Sequence, residues 1–289
     1  MSYQQKAYES SLKAHQKLVA TKLLDGIDKL YEHKGSERRW IWELLQNAKD
    51  VADARVKIEV TLQENSVELR HNGNPFQMDN ITYLIEQVST KDRATSAEQV
   101  LTTTGKFGTG FMTTHLLSKK VTVTGVLEDK EEETTYKRFN LQLDRAAKTP
   151  DEMTAKVRQS YQVFEELDDD QLCPVLTDYQ ANENLDTSFK YDLDRPGLNI
   201  AKIGIEDLHN SLSYTFVFLP KIESVTVIDE IEKTRIIYSK VGEEKVGIVK
   251  VSTFEIKANE NVEVIKIASV SNDKNTIFLA VPVKKAGEE

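Results

Sequence analysis

Glu43, Asn47 and Asp50 supply a carboxylate, an amide and a second carboxylate, three groups that can hydrogen-bond a polar ligand if one helix carries them together. With Glu43 at zero and about 100° per residue, Asn47 falls near +40° and Asp50 near −20°. Trp40, Ile41, Leu44, Ala48, Val51 and Ala52 occupy roughly 60° to 180°. The polar stripe therefore borders the apolar seam, as the wall of a pocket does. An ordinary amphipathic helix with its acids on the wet side has the same pattern.

Gly105-Lys106-Phe107-Gly108-Thr109-Gly110, followed by Phe111-Met112-Thr113-Thr114-His115-Leu116-Leu117, reads as a glycine-rich turn feeding a helix. Backbone amides without side chains can crowd an anion, and a helix N-terminus adds free N–H groups. Both a phosphate cradle and a tight turn fit. The GxxGxG spacing lacks the Gly-Lys-Ser/Thr ending of the Walker loop and is not the GxGxxG dinucleotide fingerprint. Between the two segments, His71-Asn72-Gly73-Asn74-Pro75-Phe76 ends an alternating run with Val67, Leu69 and His71 on one side. Asn-Gly followed by Pro takes the chain out of a sheet, and residues at such a bend either face a ligand or make a plain turn.

The order of these segments resembles the ATP-binding domain of the GHKL superfamily, named for gyrase, the ninety-kilodalton heat-shock chaperone, histidine kinases and MutL. Glu43 to Asp50 match its E-x-x-x-N-A-x-D box, His71 to Phe76 stand at its D-x-G-x-G box, and Gly105 to Gly110 match its second glycine box. Together they span about a quarter of the chain. Their wording is most similar to the sacsin-type, chaperone-like branch. One position departs: His71 stands where the family has an aspartate that reads the adenine amino group. A neutral imidazole can accept one hydrogen bond and loses that acceptor on protonation. His71 equally suits a strand-end residue satisfied by the backbone.

The resemblance implies a two-layer α/β sandwich, a mixed sheet covered by helices, that binds ATP with Mg2+, hydrolyses it slowly to ADP and closes a lid. The ATP contacts it implies are Asn47, Asp50, His71, Asn72, Gly73, Phe76, Lys91, Thr104, Gly105, Lys106, Phe107, Gly108, Thr109, Gly110, Phe111 and Thr215. Asn47 would give Mg2+ one amide oxygen, because magnesium prefers oxygen ligands and keeps several waters. Glu43, one turn earlier, would orient and deprotonate the attacking water as the catalytic residue. Asp50 would brace the nucleotide through water, while Lys106 and the amides of 107–111 would offset phosphate charge. The polar segment 89–104 stands where the family has its lid, and by composition is equally a surface loop.

Other outputs of the same boxes are open. A nucleotide-gated interaction module without significant turnover, as in bacterial defence proteins, is the alternative to an ATPase; its partner would be a second copy or a larger multidomain protein. A histidine kinase needs an acceptor box of acidic neighbour and following proline, which neither His15 nor His33 shows. A gyrase-like transducer needs more chain than 223–289 offers.

At 289 residues the chain suits roughly two domains: an ATP-binding domain over 1–222 with its N-terminal helix and lid, then a β-rich module over 223–289. A hydrophobic content of 39% and a charged content of 29% are those of a soluble globular protein. The net charge of −9 disfavours broad nucleic-acid binding, which needs clustered Lys and Arg. A single cysteine, Cys173, excludes an internal disulfide and fits a reducing cytoplasm, with the thiol as an apolar packer. No run approaches the roughly 20 apolar residues of a membrane span.

Periodicity predicts a helix over 5–32 with Leu18, Val19, Leu23, Leu24, Ile27, Leu30 and Tyr31 on its apolar side, then the motif helix capped by Ser36. It predicts a hairpin from Val56–Leu62 and Ser66–His71, a helix around Ile81–Val88, and strands at Val121–Val126 and Tyr136–Leu141. Thr149-Pro150-Asp151-Glu152 opens a helix through about Phe164, and Asp168 to Asp170 close it as a charged loop. A buried strand is expected at Thr215–Leu219. Five more follow at Val225–Ile228, Arg235–Tyr238, Val246–Phe254, Val262–Val270 and Ile277–Val283.

Overall fold

The structure is a computed structural model that describes residues 2–30, 35–87, 109–130, 133–272 and 277–282. The first helix, α1, runs Tyr3–Leu30 and buries Val19, Ala20, Leu23 and Ile27. Leu18, expected on that stripe, is exposed, because it stands about 100° around the helix from Val19. The motif helix α2 is Arg39–Asp50. Ser36 does not cap it, because a 3-10 turn over Ser36–Arg38 intervenes. Gly35 at φ 83° enters that turn, and Ser36 is buried within it. Left-handed backbone there favours glycine.

A hairpin of β1 (Val56–Leu62) and β2 (Ser66–His71) leads to α3 (Met78–Glu86). A short helix α4 (Thr109–Met112) continues as a 3-10 turn over Thr113–Leu116. Then come β3 (Lys120–Asp129), β4 (Thr135–Asp144), α5 (Pro150–Ser160) and α6 (Gln162–Asp168). The Thr149 hydroxyl accepts from Glu152 N at 3.2 Å with Pro150 at the helix start, which is the cap the sequence predicts.

Next are β5 (Thr187–Asp192) and α7 (Arg195–Thr215), neither of which the periodicity reading contains. The strand expected at 215–219 is not there: α7 runs to Thr215, and Phe216–Phe218 form a 3-10 turn. That β-branched and aromatic run fits a strand by propensity, but Phe216 is buried against Phe254, so packing at the helix end decides its conformation. The five later strands are β6 (Ile222–Asp229), β7 (Thr234–Val246), β8 (Val249–Ala258), β9 (Asn261–Asn272) and β10 (Ile277–Pro282).

The ten strands of the described residues form one mixed sheet in the order β10-β9-β8-β7-β6-β1-β2-β5-β3-β4. The β1–β6 pair is parallel and sets Ile58 beside Val225 and Val60 beside Val227; its neighbours pair antiparallel. The expected boundary at 222/223 thus falls at a strand paired directly with β1. Register puts the buried residues on one face: Val60 beside Leu69, Leu69 beside Phe189, Phe189 beside Val123 and Val123 beside Leu141. The other face carries Glu59, Arg70, Ser188, Thr124 and Asn140 in register. Period-2 alternation sorts them, because successive strand side chains point to opposite faces. The buried face shares one core with Trp40, Ile41, Leu44 and Ala48 of α2 and with Ala201, Ile205, Leu208 and Leu212 of α7.

Candidate functional site

α2 is fixed from behind. The Trp40 indole N–H donates to Ile200 O at 3.2 Å, and that of Trp42 to Asp207 at 2.8 Å, so both indoles tie α2 to α7. Gly204 lets the helices approach: a Cβ there would overlap the Trp40 ring, closest to its Nε1. On the opposite edge lies the polar stripe. Arg39 donates to Glu43 Oε1 at 3.2 Å, one turn away. Asp50 accepts from Gln46 Nε2 at both oxygens, 3.0 Å each, and pairs with Lys49 at 3.1 Å. Asn47 stands between the two carboxylates and is 5% exposed. Its amide Nδ2 has no hydrogen-bond partner among the described residues. A buried donor without an acceptor costs on the order of 1–3 kcal/mol, so a ligand supplying an acceptor would be favoured there.

The strand-end turn docks on the C-terminal end of this helix. Asn74 N donates to Val51 O at 3.1 Å, and a Cβ on Gly73 would meet Val51 Cγ2 at 2.7 Å, so the close approach needs glycine. Asn72 spends its amide structurally, accepting from Lys57 N at 2.7 Å and donating to Asn182 O at 2.6 Å. His71 is 2% exposed, and its Nδ1 accepts from Gly73 N at 3.0 Å. Burial pushes its pKa down to about 3, so the ring is neutral. Gly73 N occupies Nδ1, so the proton of the neutral ring sits on Nε2. The acceptor expected for an adenine amino group is therefore already taken.

The third segment meets Glu43. A Cβ on Gly110 would lie 2.8 Å from the Glu43 carboxylate carbon, so the backbone of α4 rests on that carboxylate. From the other side, the Met112 side chain fills the space a Cβ on Gly26 would need, which wedges α4 between α1 and α2. Phe111 is buried, with its ring centroid 5.6 Å from Phe189, and Phe189 stacks on His71 at 6.2 Å. An aromatic row thus joins the α4 segment to the strand-end turn.

Glu43, Asn47, Asp50, His71, Asn72, Gly73, Gly110 and Phe111 are therefore gathered around α2. Lys91, Thr104, Gly105, Lys106, Phe107 and Gly108 lie outside the described residues, as does the segment 89–104, and Thr109 is placed only as the first residue of α4. Phe76 goes elsewhere: its buried ring packs edge-on against Phe139 at 5.1 Å, in space left by Gly125. Thr215 ends α7, and its hydroxyl donates to Ser211 O and Leu212 O of its own helix. Three neighbours of the site are absent from the sequence reading. Arg39 is legible as the i−4 partner of Glu43; Phe189 and Thr187 belong to the unread β5, where Thr187 pairs with His71.

Among the described residues no group of three or more His, Cys, Asp or Glu could hold a metal, so a cation here would depend on ligand oxygens beside the single amide of Asn47. A cleft of about 410 Å³ opens by the docking point of the turn, lined by Val51, Asp53, Asn74, Gln77, Glu128 and Lys130 among others. No helix among the described residues is long and apolar enough to cross a membrane. No protein-family model matches the chain, and no curated protein matches it.

Proposed function

We propose that the chain is a GHKL-type, sacsin-like nucleotide-binding protein that takes a Mg-nucleoside triphosphate on the Glu43–Asp50 edge of α2 and hydrolyses it slowly, ATP being the nucleotide the resemblance implies. One observation carries this reading: Asn47 Nδ2, which has no partner among the described residues, lies between the contact of Glu43 with Gly110 and the contact of Val51 with Gly73, so the described residues of the three resembling segments meet along one helix edge. Arg39 fixes one oxygen of Glu43, which orients the carboxylate toward Gly110. A carboxylate held so can orient a water and take its proton as the water oxygen bonds to the γ-phosphorus and the bond to the β–γ bridging oxygen breaks, giving ADP and phosphate. Asn47 would hold Mg2+ through its amide oxygen, and the bound ion would neutralise phosphate charge. Asp50, fixed by Gln46 and Lys49, would order water beside the nucleotide.

The test is calorimetry with ATP, with and without Mg2+, and phosphate release followed on the same samples. Mg-dependent binding with slow release is expected. Binding without release above background would assign a nucleotide-gated interaction module. No binding at millimolar nucleotide overturns both.

A further inference from the structure

The two edges of the sheet are built differently. β4, at one edge, is covered: Tyr136 O accepts from Leu176 N at 2.8 Å, and Gln142 O accepts from the Ser160 hydroxyl at 2.7 Å. Lys137 and Arg138 add ion pairs to Asp170 at 2.7 Å and Asp186 at 2.8 Å. An edge so covered and charged turns other strands away. β10, at the other edge, runs Ile277–Pro282 without a charged residue and in unbroken register with β9. Among the described residues no strand pairs with its far side.

The turn between β8 and β9 fixes which main-chain groups of β10 face outward. Asn259, at φ 53°, and Glu260 form a two-residue turn, so the flanking Ala258 and Asn261 are a hydrogen-bonded pair. Counting by twos along β9, the N–H and C=O groups of Glu263, Ile265, Ile267 and Ser269 turn to β8, and those of Ala268, Val270 and Asn272 turn to β10. Opposite these stand Val281, Leu279 and Ile277, whose main chain is thereby used. The main chain of Phe278 and Ala280 faces the open edge. Pro282 shares that parity, and its nitrogen, which carries no hydrogen, falls on the side where an edge strand tolerates proline.

A row of outward N–H and C=O groups is matched by another strand. The contrast between the edges favours a second copy of this chain as that strand. Antiparallel pairing of β10 with itself is self-complementary, since each copy brings the N–H groups of Phe278 and Ala280 to the other's carbonyls. The uncharged run Ile277–Pro282 also brings no like charges together, in a chain whose net charge is −9. Because β4 is covered, each copy offers one open edge and the pairing stops after one step.

We infer that the chain forms a closed two-fold dimer in which β10 pairs antiparallel with β10 of a second copy, joining the two sheets into one. This does not depend on the nucleotide reading.

Light scattering of the full chain over rising concentration, without nucleotide, tests the dimer. A mass twice the 32.9 kDa of the chain is expected. A mass that stays at 32.9 kDa up to about 100 μM overturns the inference. Amide exchange followed residue by residue locates the interface: Phe278 and Ala280 should be protected in the dimer and lose that protection on dilution. Ala280→Pro removes an outward N–H that β9 does not use, so the variant should keep its fold and halve the mass. A folded variant that remains dimeric, or a wild-type dimer in which Phe278 and Ala280 exchange freely, overturns the inference by placing the contact elsewhere. Masses that grow past the dimer with concentration overturn its closure. The wild-type exchange comparison decides even if the proline variant does not fold.

Discussion

Gly110 rests on the carboxylate of Glu43, with room between them for a hydrogen and not for a methyl group. The contact joins residues 67 positions apart, and no property of either segment alone requires it. A Cβ at 110 would press on the far end of a flexible side chain, so Gly110→Ala should cost little stability, within about 1 kcal/mol. It should nevertheless swing Glu43 off the position that Arg39 and Gly110 define. Turnover of the bound nucleotide is expected to fall about tenfold or more with the unfolding midpoint nearly unchanged, as phosphate release and denaturant titration of the same preparation would show. Unchanged turnover would separate Glu43 from the chemistry.

Glu43 itself should divide binding from catalysis. Its carboxylate repels phosphate oxygens in the ground state and contributes as the attacking water loses its proton. Glu43→Ala is therefore expected to keep nucleotide affinity and to lower turnover by on the order of 10², the usual contribution of a general base. Single-turnover phosphate release beside calorimetry checks this, and a parallel loss of affinity would make Glu43 a binding residue.

Two buried imidazoles contribute to the acid side of the stability curve. Burial pushes His71 to about 3, and burial followed by the Arg145 charge pushes His115 to about 3. Above about pH 6.5 both are neutral folded and unfolded. Between there and about 3 the unfolded chain takes up protons that the folded chain refuses, so stability falls as pH falls, by up to about 1.4 kcal/mol per pH unit for each ring. Denaturant midpoints at successive pH values should show this slope, and His115→Gln should reduce it. Since His71 stays neutral, nucleotide affinity should be flat from about pH 5.5 to 8 as far as that ring is concerned.

Behind the site, Gly204 admits the Trp40 indole, which is fully buried and tied to Ile200 O. Gly204→Ala would gain helix propensity on an exposed surface, but here the methyl meets an aromatic ring that has nowhere to move. A net destabilisation of about 1–3 kcal/mol is expected by chemical denaturation, the usual cost of overpacking a core. A stabilised variant would mean that α7 does not brace α2 in this way.

Much of this arrangement was legible in the residues. The α2 stripe follows from helical spacing alone, and the seam of Trp40, Ile41, Leu44 and Ala48 is buried as that spacing requires. β1 and β2 declare themselves by strict alternation, and Thr149-Pro150 marks the start of α5 through capping chemistry that acts locally. α7 was hidden because its signals resemble helix breakers: Asp194 and Pro196 start it, and Gly197 and Gly204 sit inside it for close packing against Leu117 O and Trp40. β5 was hidden because only Phe189 and Tyr191 mark its apolar side, though it supplies Phe189 and Thr187 beside His71. The polarity of His71 was beyond sequence reasoning, since it depends on which ring nitrogen faces Gly73 N, a matter of backbone path at the turn. The same is true of Gly110 on Glu43, a contact made only once α1 and α2 close on α4.

The most direct test of the account is Asn47→Ala. The residue is at the seam's edge with a buried amide nitrogen that has no partner among the described residues, so its removal should leave the denaturation midpoint within about 1 kcal/mol of wild type. Calorimetry of the wild-type and variant chains with a nucleoside triphosphate, with and without Mg2+, should then show Mg-dependent binding in the first and none in the second. Equal Mg-dependent affinity in the two chains would contradict the placement of the nucleotide and its metal on α2.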